Sequence, residues 1–71
     1  MVKEVKINTE YITLGQFLKF EGIIDSGCIA KIYLSEHDVL INGDIDTRRG
    51  RKLYPNDKIL IEKKEYIIKR G

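Results

Sequence analysis

Apolar residues recur along the chain in two rhythms. Val2, Val5 and Ile7 alternate imperfectly with Lys3, Glu4 and Lys6, so Met1 to Ile7 predicts a short strand with one buried face. Asn8-Thr9-Glu10 is polar and reads as a loop. The spacing then changes, and Leu14, Phe17 and Leu18 fall on one face of a helix. Thr13 stands at its N-cap and Gln16 at its third position, which is a capping box. Ile12 and Phe17 supply the matching hydrophobic staple. Gly22 is placed to end this helix in a left-handed turn. Asp25 or Ser26 can cap a second helix, to which Ile29, Ala30, Ile32, Tyr33 and Leu34 give a broad apolar face, with Lys31 off that face. Gly27 in its first turn lowers helix propensity by roughly 1 kcal/mol relative to alanine. It either lets the two helices pack closely or leaves first-turn amides open to an anion.

Further on, Val39-Leu40-Ile41 predicts a strand that ends in Asn42-Gly43, the favoured pair for a type I′ turn. Asp44 to Asp46 is expected to pair back briefly. A loop carrying Arg48-Arg49-Gly50-Arg51-Lys52 follows, with Gly50 letting it curve. Tyr54-Pro55-Asn56-Asp57 is a turn with proline at its second position. Lys58-Ile59-Leu60-Ile61 and Tyr66-Ile67-Ile68 predict a hairpin across Lys63-Lys64-Glu65, with the N-terminal strand beside it. With no repeat, linker or low-complexity segment, the expectation is one α+β domain over residues 1–71. Its two helices pack on a small, mainly antiparallel sheet.

Composition narrows this picture. At 71 residues the chain suits one small domain of modest stability, burying only about 60% of its unfolded surface. Hydrophobic residues at 42% with charged residues at 34% fit a globular chain and not a disordered one. No apolar run approaches the ~20 residues of a membrane span, and residues 1–7 lack a signal-peptide core. The single cysteine cannot form an internal disulfide, which fits a cytoplasmic location. Charge is uneven: residues 1–47 carry a net −4 and residues 48–71 a net +6. The basic end is expected to attract phosphate.

Candidate chemistry follows from the charge. Arg48, Arg49, Arg51 and Lys52 cannot be buried unpaired, and arginine's planar fork grips phosphate oxygens in pairs and stacks on bases. Lys19 and Lys31 can add contacts from the helices. Ser26 can reach a phosphate or cap its own helix, and Asn42 and Gly43 are turn residues that neighbour the same surface. Tyr11, Phe20, Tyr33 and Tyr54 are stacking candidates, with core or rim packing as the plainer role. Cys28 near a helix start, His37 and Asp38 make no triad and lack metal-ligand spacing, so neither an enzyme nor a metal centre is expected. No glycine-rich nucleotide loop occurs, and no cofactor or small-molecule substrate is implied.

The ordered set of motifs resembles the S-four-type RNA-binding domain, named for a small-subunit ribosomal protein. The counterparts are Thr13-Leu14-Gly15-Gln16-Phe17-Leu18, Gly22, Ser26-Gly27-Cys28-Ile29-Ala30-Lys31, Val39-Leu40-Ile41-Asn42-Gly43 and Asn56-Asp57-Lys58-Ile59. Thr-Leu-Gly-Gln-Phe-Leu-Lys, Ser-Gly-x-x-Ala-Lys and Arg-Arg-Gly-Arg-Lys-Leu-Tyr-Pro are similar to the stand-alone YaaA-like bacterial members. The resemblance implies a helix-pair (αL-type) face for structured RNA, such as ribosomal RNA or a ribosome assembly intermediate. Its RNA-facing positions are Thr13, Gln16, Lys19, Ser26, Gly27, Lys31, Asn42, Gly43, Arg48, Arg49, Arg51 and Lys52. The broad pattern's opening arginine is Thr13 here, its acidic partner Gly15, and the arginine after serine Gly27. The basic run is expected to compensate. A second reading is a protein-interaction module that docks an acidic partner through the basic loop or an edge strand. A third, a β-grasp carrier, lacks the terminal Gly-Gly such carriers use.

Overall fold

Residues 2–71 are described by a computed structural model, so the predicted start of the first strand at Met1 lies outside the described residues. In chain order the elements are β1 (Val2–Ile7), β2 (Ile12–Thr13), α1 (Leu14–Phe20), α2 (Gly27–Glu36), β3 (Val39–Ile41), β4 (Asp44–Ile45), β5 (Lys52–Leu53), β6 (Lys58–Ile61) and β7 (Lys64–Arg70). Strands β1-β7-β6-β3-β4 form one sheet in that order, and β2 pairs with β5 in a separate ribbon. The β1–β7 pair is parallel and the others are antiparallel, the mainly antiparallel α+β arrangement expected.

Both helices cover one face of the sheet. Val5, Ile7, Val39, Ile41, Ile59, Ile61, Tyr66 and Ile68 point into the core, where they meet Leu14, Phe17 and Leu18 of α1 and Ala30 and Leu34 of α2. Phe17 sets its ring edge-to-face against Tyr66, 5.2 Å between centroids. The cap of α1 is the one the sequence dictates: Gln16 N–H donates to Thr13 Oγ1 at 3.3 Å, and Thr13 N–H donates to Gln16 Oε1 at 3.1 Å. Gly22, at φ +73°, closes the helix. Its N–H donates to Lys19 O and that of Ile23 to Leu18 O, a Schellman pair.

Asn42 and Gly43 both lie at positive φ between the paired residues Ile41 and Asp44, as a type I′ hairpin requires. In the Tyr54–Asp57 turn, Asp57 N–H donates to Tyr54 O at 3.0 Å.

Three expectations are corrected, and one of the two alternatives for Gly27 is removed. Ser26 occupies the N-cap of α2, but its side chain makes no capping bond there. Gly27 is not a packing point, because a Cβ on it would meet nothing within 4 Å. The apolar face of α2 is narrower than its sequence: Ala30 and Leu34 are buried and Tyr33 half-buried, while Ile29 and Ile32 are exposed. This ten-residue helix has α1 and the sheet on one side only, so residues turned away from them stay in solvent. Finally, the β6–β7 connection is Glu62-Lys63, since Ile61 pairs directly with Lys64. Both turn residues take left-handed backbone, φ +50° and +68°, without glycine or asparagine.

Candidate nucleic-acid interface

The basic run is a tight turn anchored at both ends. Arg51 N–H donates to Arg48 O at 3.1 Å, closing Arg48-Arg49-Gly50-Arg51. Gly50 is not at positive φ and a Cβ on it would meet open space, so the curve does not depend on glycine, contrary to the sequence reading. The turn is docked on the start of α1: Leu14 N–H donates to Arg51 O and Gly15 N–H to Arg49 O, each at 2.8 Å. With Thr13 Oγ1 taking Gln16 N–H, the first-turn amides of α1 are filled from within the protein.

Asp46 holds the side chains. It is only 8% exposed and accepts four hydrogen bonds. Arg48 donates its backbone N–H (2.8 Å) and Nε (3.1 Å) to Oδ1 and its Nη2 (2.8 Å) to Oδ2, and Arg51 Nη1 reaches Oδ2 at 2.9 Å. The Arg48 guanidinium first, then its backbone N–H and Arg51, hold the Asp46 carboxyl far below the usual carboxylate range, against the opposing effect of burial. The carboxylate in turn raises the pKa of Arg48. Two guanidinium groups are thereby oriented, on a largely exposed Arg48 side chain and a half-buried Arg51. Arg49 and Lys52 form no ion pair among the described residues. Asp46 was not singled out in the sequence; its signal is an acid two residues before an arginine run.

The turn lies beside both helices. A Cβ placed on Gly15 would stand 3.3 Å from Arg49 O and 3.7 Å from the Ala30 Cβ of α2. Gly27 is one turn before Ala30, so the opening turn of α2 begins near the same junction. Ser26 Oγ does not cap that turn, and Gly27, Cys28 and Ile29 are exposed. The start of α1 is thus closed by protein, whereas the start of α2 lacks a side-chain cap and only its Ile29 N–H is engaged, donating to Ser26 O at 3.1 Å. Lys19 is exposed one turn beyond Gly15, and Lys31 is exposed beside Ala30.

For Asn42 and Gly43 the turn duty dominates. Asn42 Nδ2 donates to Asp57 Oδ1 at 3.2 Å, and Lys58 N–H donates to Asn42 Oδ1 at 3.0 Å. Thr13 and Gln16 are likewise committed to the α1 cap. A cleft beside the turn is lined by Arg48, Gly50, Arg51, Lys52, Tyr54 and Asp57.

The comparisons with known proteins bear on the whole of this arrangement. The family model described as the S4 domain matches residues 5–69. The chain belongs to the S4-domain family. It is also similar to a Bacillus subtilis (strain 168) protein named "Probable ribosome maturation protein RlbA", 56% identical over 62 residues, 87% of each chain. In this S4 domain, the glycine that stands in place of the broad pattern's acid has a visible reason: at position 15 the docked arginine turn occupies the space a side chain would need.

Elsewhere, the cations of the second half of the chain do not all gather here. Glu62, next to Lys63 and Lys64, approaches His37 Nδ1 at 3.3 Å at the opposite end of α2. Cys28 is exposed. It is separated from His37 by nearly the full length of α2, about 13 Å by helical rise.

Proposed function

We propose that this chain is a non-catalytic RNA-binding protein whose arginine turn and uncapped α2 start together grip the backbone of structured RNA. The observation that carries the reading is the docking of the Arg48–Arg51 turn on the first amides of α1, next to Ala30 of α2. In support, that docking sets the oriented guanidinium groups near the helix whose start has no side-chain cap, and guanidinium groups and uncapped helix starts both attract phosphate. Side chains on such a surface cannot read the deep major groove of A-form RNA, so recognition rests on shape, the shallow groove and unpaired segments. Lys19, Lys31 and Ser26 extend the surface, and Thr13, Gln16, Asn42 and Gly43 shape it. The similar Bacillus protein is named for ribosome maturation. We carry that to this chain as a preference for ribosomal RNA or an assembly intermediate.

Filter binding to ribosomal RNA tests the reading. Replacing Arg48 or Arg51 also strips partners from buried Asp46, so the informative variant is Arg49→Ala/Lys52→Ala, which spares that pair. It is expected to lose RNA affinity, while Lys63→Ala/Lys64→Ala at the far end of α2 keeps it. Equal affinity for all three proteins would reject the contact surface. Affinity for an acidic protein in place of RNA would favour the docking-module reading.

A further inference from the structure

The ribbon of β2 and β5 has two faces of opposite character. Ile12 pairs with Leu53, which is fully buried, and Thr13 pairs with Lys52. The next pair along this antiparallel ladder is Tyr11 and Tyr54, so both tyrosines stand on the outward face with Thr13 and Lys52. Their ring centroids are 5.8 Å apart at 51°, and Lys52 Nζ lies 5.0 Å from the Tyr11 centroid. Tyr11 is 38% exposed and Tyr54 47%. Tyr54 also forms one wall of the cleft whose other walls include Arg48, Arg51 and Lys52. A cross-strand aromatic pair alone would stabilise the ribbon. Here the core side is already supplied by Ile12 and Leu53, and both tyrosines stay partly exposed, Tyr54 next to a cationic cleft.

We propose that Tyr54 and Tyr11 form a stacking subsite for an unpaired nucleobase whose flanking phosphate sits in the Arg48/Arg51/Lys52 cleft. This rests on the RNA-binding reading and deepens it: the favoured ligand is a single-stranded nucleotide in a loop, bulge or end, not a continuous duplex. Unpaired bases stack on aromatic rings, and every base has a π-face to offer. The neighbouring cations hold the backbone while the tyrosines hold the base.

The test uses an RNA hairpin with 2-aminopurine in its loop and a blunt duplex of the same stem. Anisotropy gives affinity, and 2-aminopurine quenching gives stacking. For the hairpin, Tyr54→Ala is expected to weaken binding by roughly 5- to 150-fold and to abolish the quenching, whereas Tyr54→Phe and Tyr11→Phe retain both. For the duplex, wild type and Tyr54→Ala bind alike. Circular dichroism melts of the variants confirm that the ribbon is intact, and the Phe variants keep the test valid if Tyr54→Ala unfolds. Unquenched 2-aminopurine in the wild-type complex, or an equal loss on hairpin and duplex, would overturn the subsite. If wild type binds both RNAs and Arg49→Ala/Lys52→Ala loses both while the tyrosine variants lose neither, only the subsite falls. If wild type binds neither RNA, the subsite and the RNA-binding reading fall together.

Discussion

Two glycines with similar places in their helices have opposite reasons to be there. Gly15 stands against Arg49 O and Ala30, whereas Gly27 faces open space. The Arg49 carbonyl cannot retreat from a new Cβ without stretching the bond it accepts from Gly15 N–H. Gly15→Ala is therefore expected to cost about 1 kcal/mol in urea denaturation, as overpacking does. Gly27→Ala should gain up to about 1 kcal/mol from helix propensity. The sequence left the purpose of Gly27 open because spacing alone does not show what a side chain would touch. Asp46 makes the same point for charge. Its carboxyl is held below its ordinary value, so its ion pairs stabilise the fold above about pH 4, near the unfolded pKa, and that contribution fades as pH falls toward the folded value. Asp46→Asn should lose about 1–3 kcal/mol at pH 7, toward the lower figure because the exposed Arg48 is screened by solvent. Wild type and variant should draw together as pH falls below 4 and converge only near the folded value, which urea melts across acid pH will show.

At the scale of elements, α1 was legible to the residue, since a capping box, a staple and a Schellman glycine agree. The apolar face of α2 was not, because periodicity counts Ile29 and Ile32 without knowing which side the sheet covers. The ribbon of β2 and β5 was missed for another reason: two residues per strand carry no period. The β6–β7 turn holds two left-handed residues that each pay the Cβ cost of that conformation. Lys63→Gly removes one of these penalties and leaves Glu62 against His37. The expected gain is about 1 kcal/mol, or roughly 4–8 °C in Tm for a domain of this size. A melting curve without an upward shift would mean that the turn is not strained.

For the whole molecule, the α+β class, the hairpin partners of the sheet and the pairing of the N-terminal strand with the C-terminal hairpin followed from the sequence, but the parallel sense of that β1–β7 pair did not. The charge asymmetry between the halves is real along the chain but is not a single patch in space. Lys63 is in the β6–β7 turn beside the C-terminal end of α2 and Lys64 follows it, and the arginine turn sits at the start of α1. What the fold adds is selection: of nine cations in residues 48–71, it docks the four of the run beside the helix pair. The most direct test is the salt dependence of RNA binding, measured as log K against log salt for wild type, Arg49→Ala/Lys52→Ala and Lys63→Ala/Lys64→Ala. Each phosphate contact contributes about one unit of slope. Loss of about two units in the first variant and none in the second is the result expected; an unchanged slope in the first, or an equal loss in both, would contradict the account.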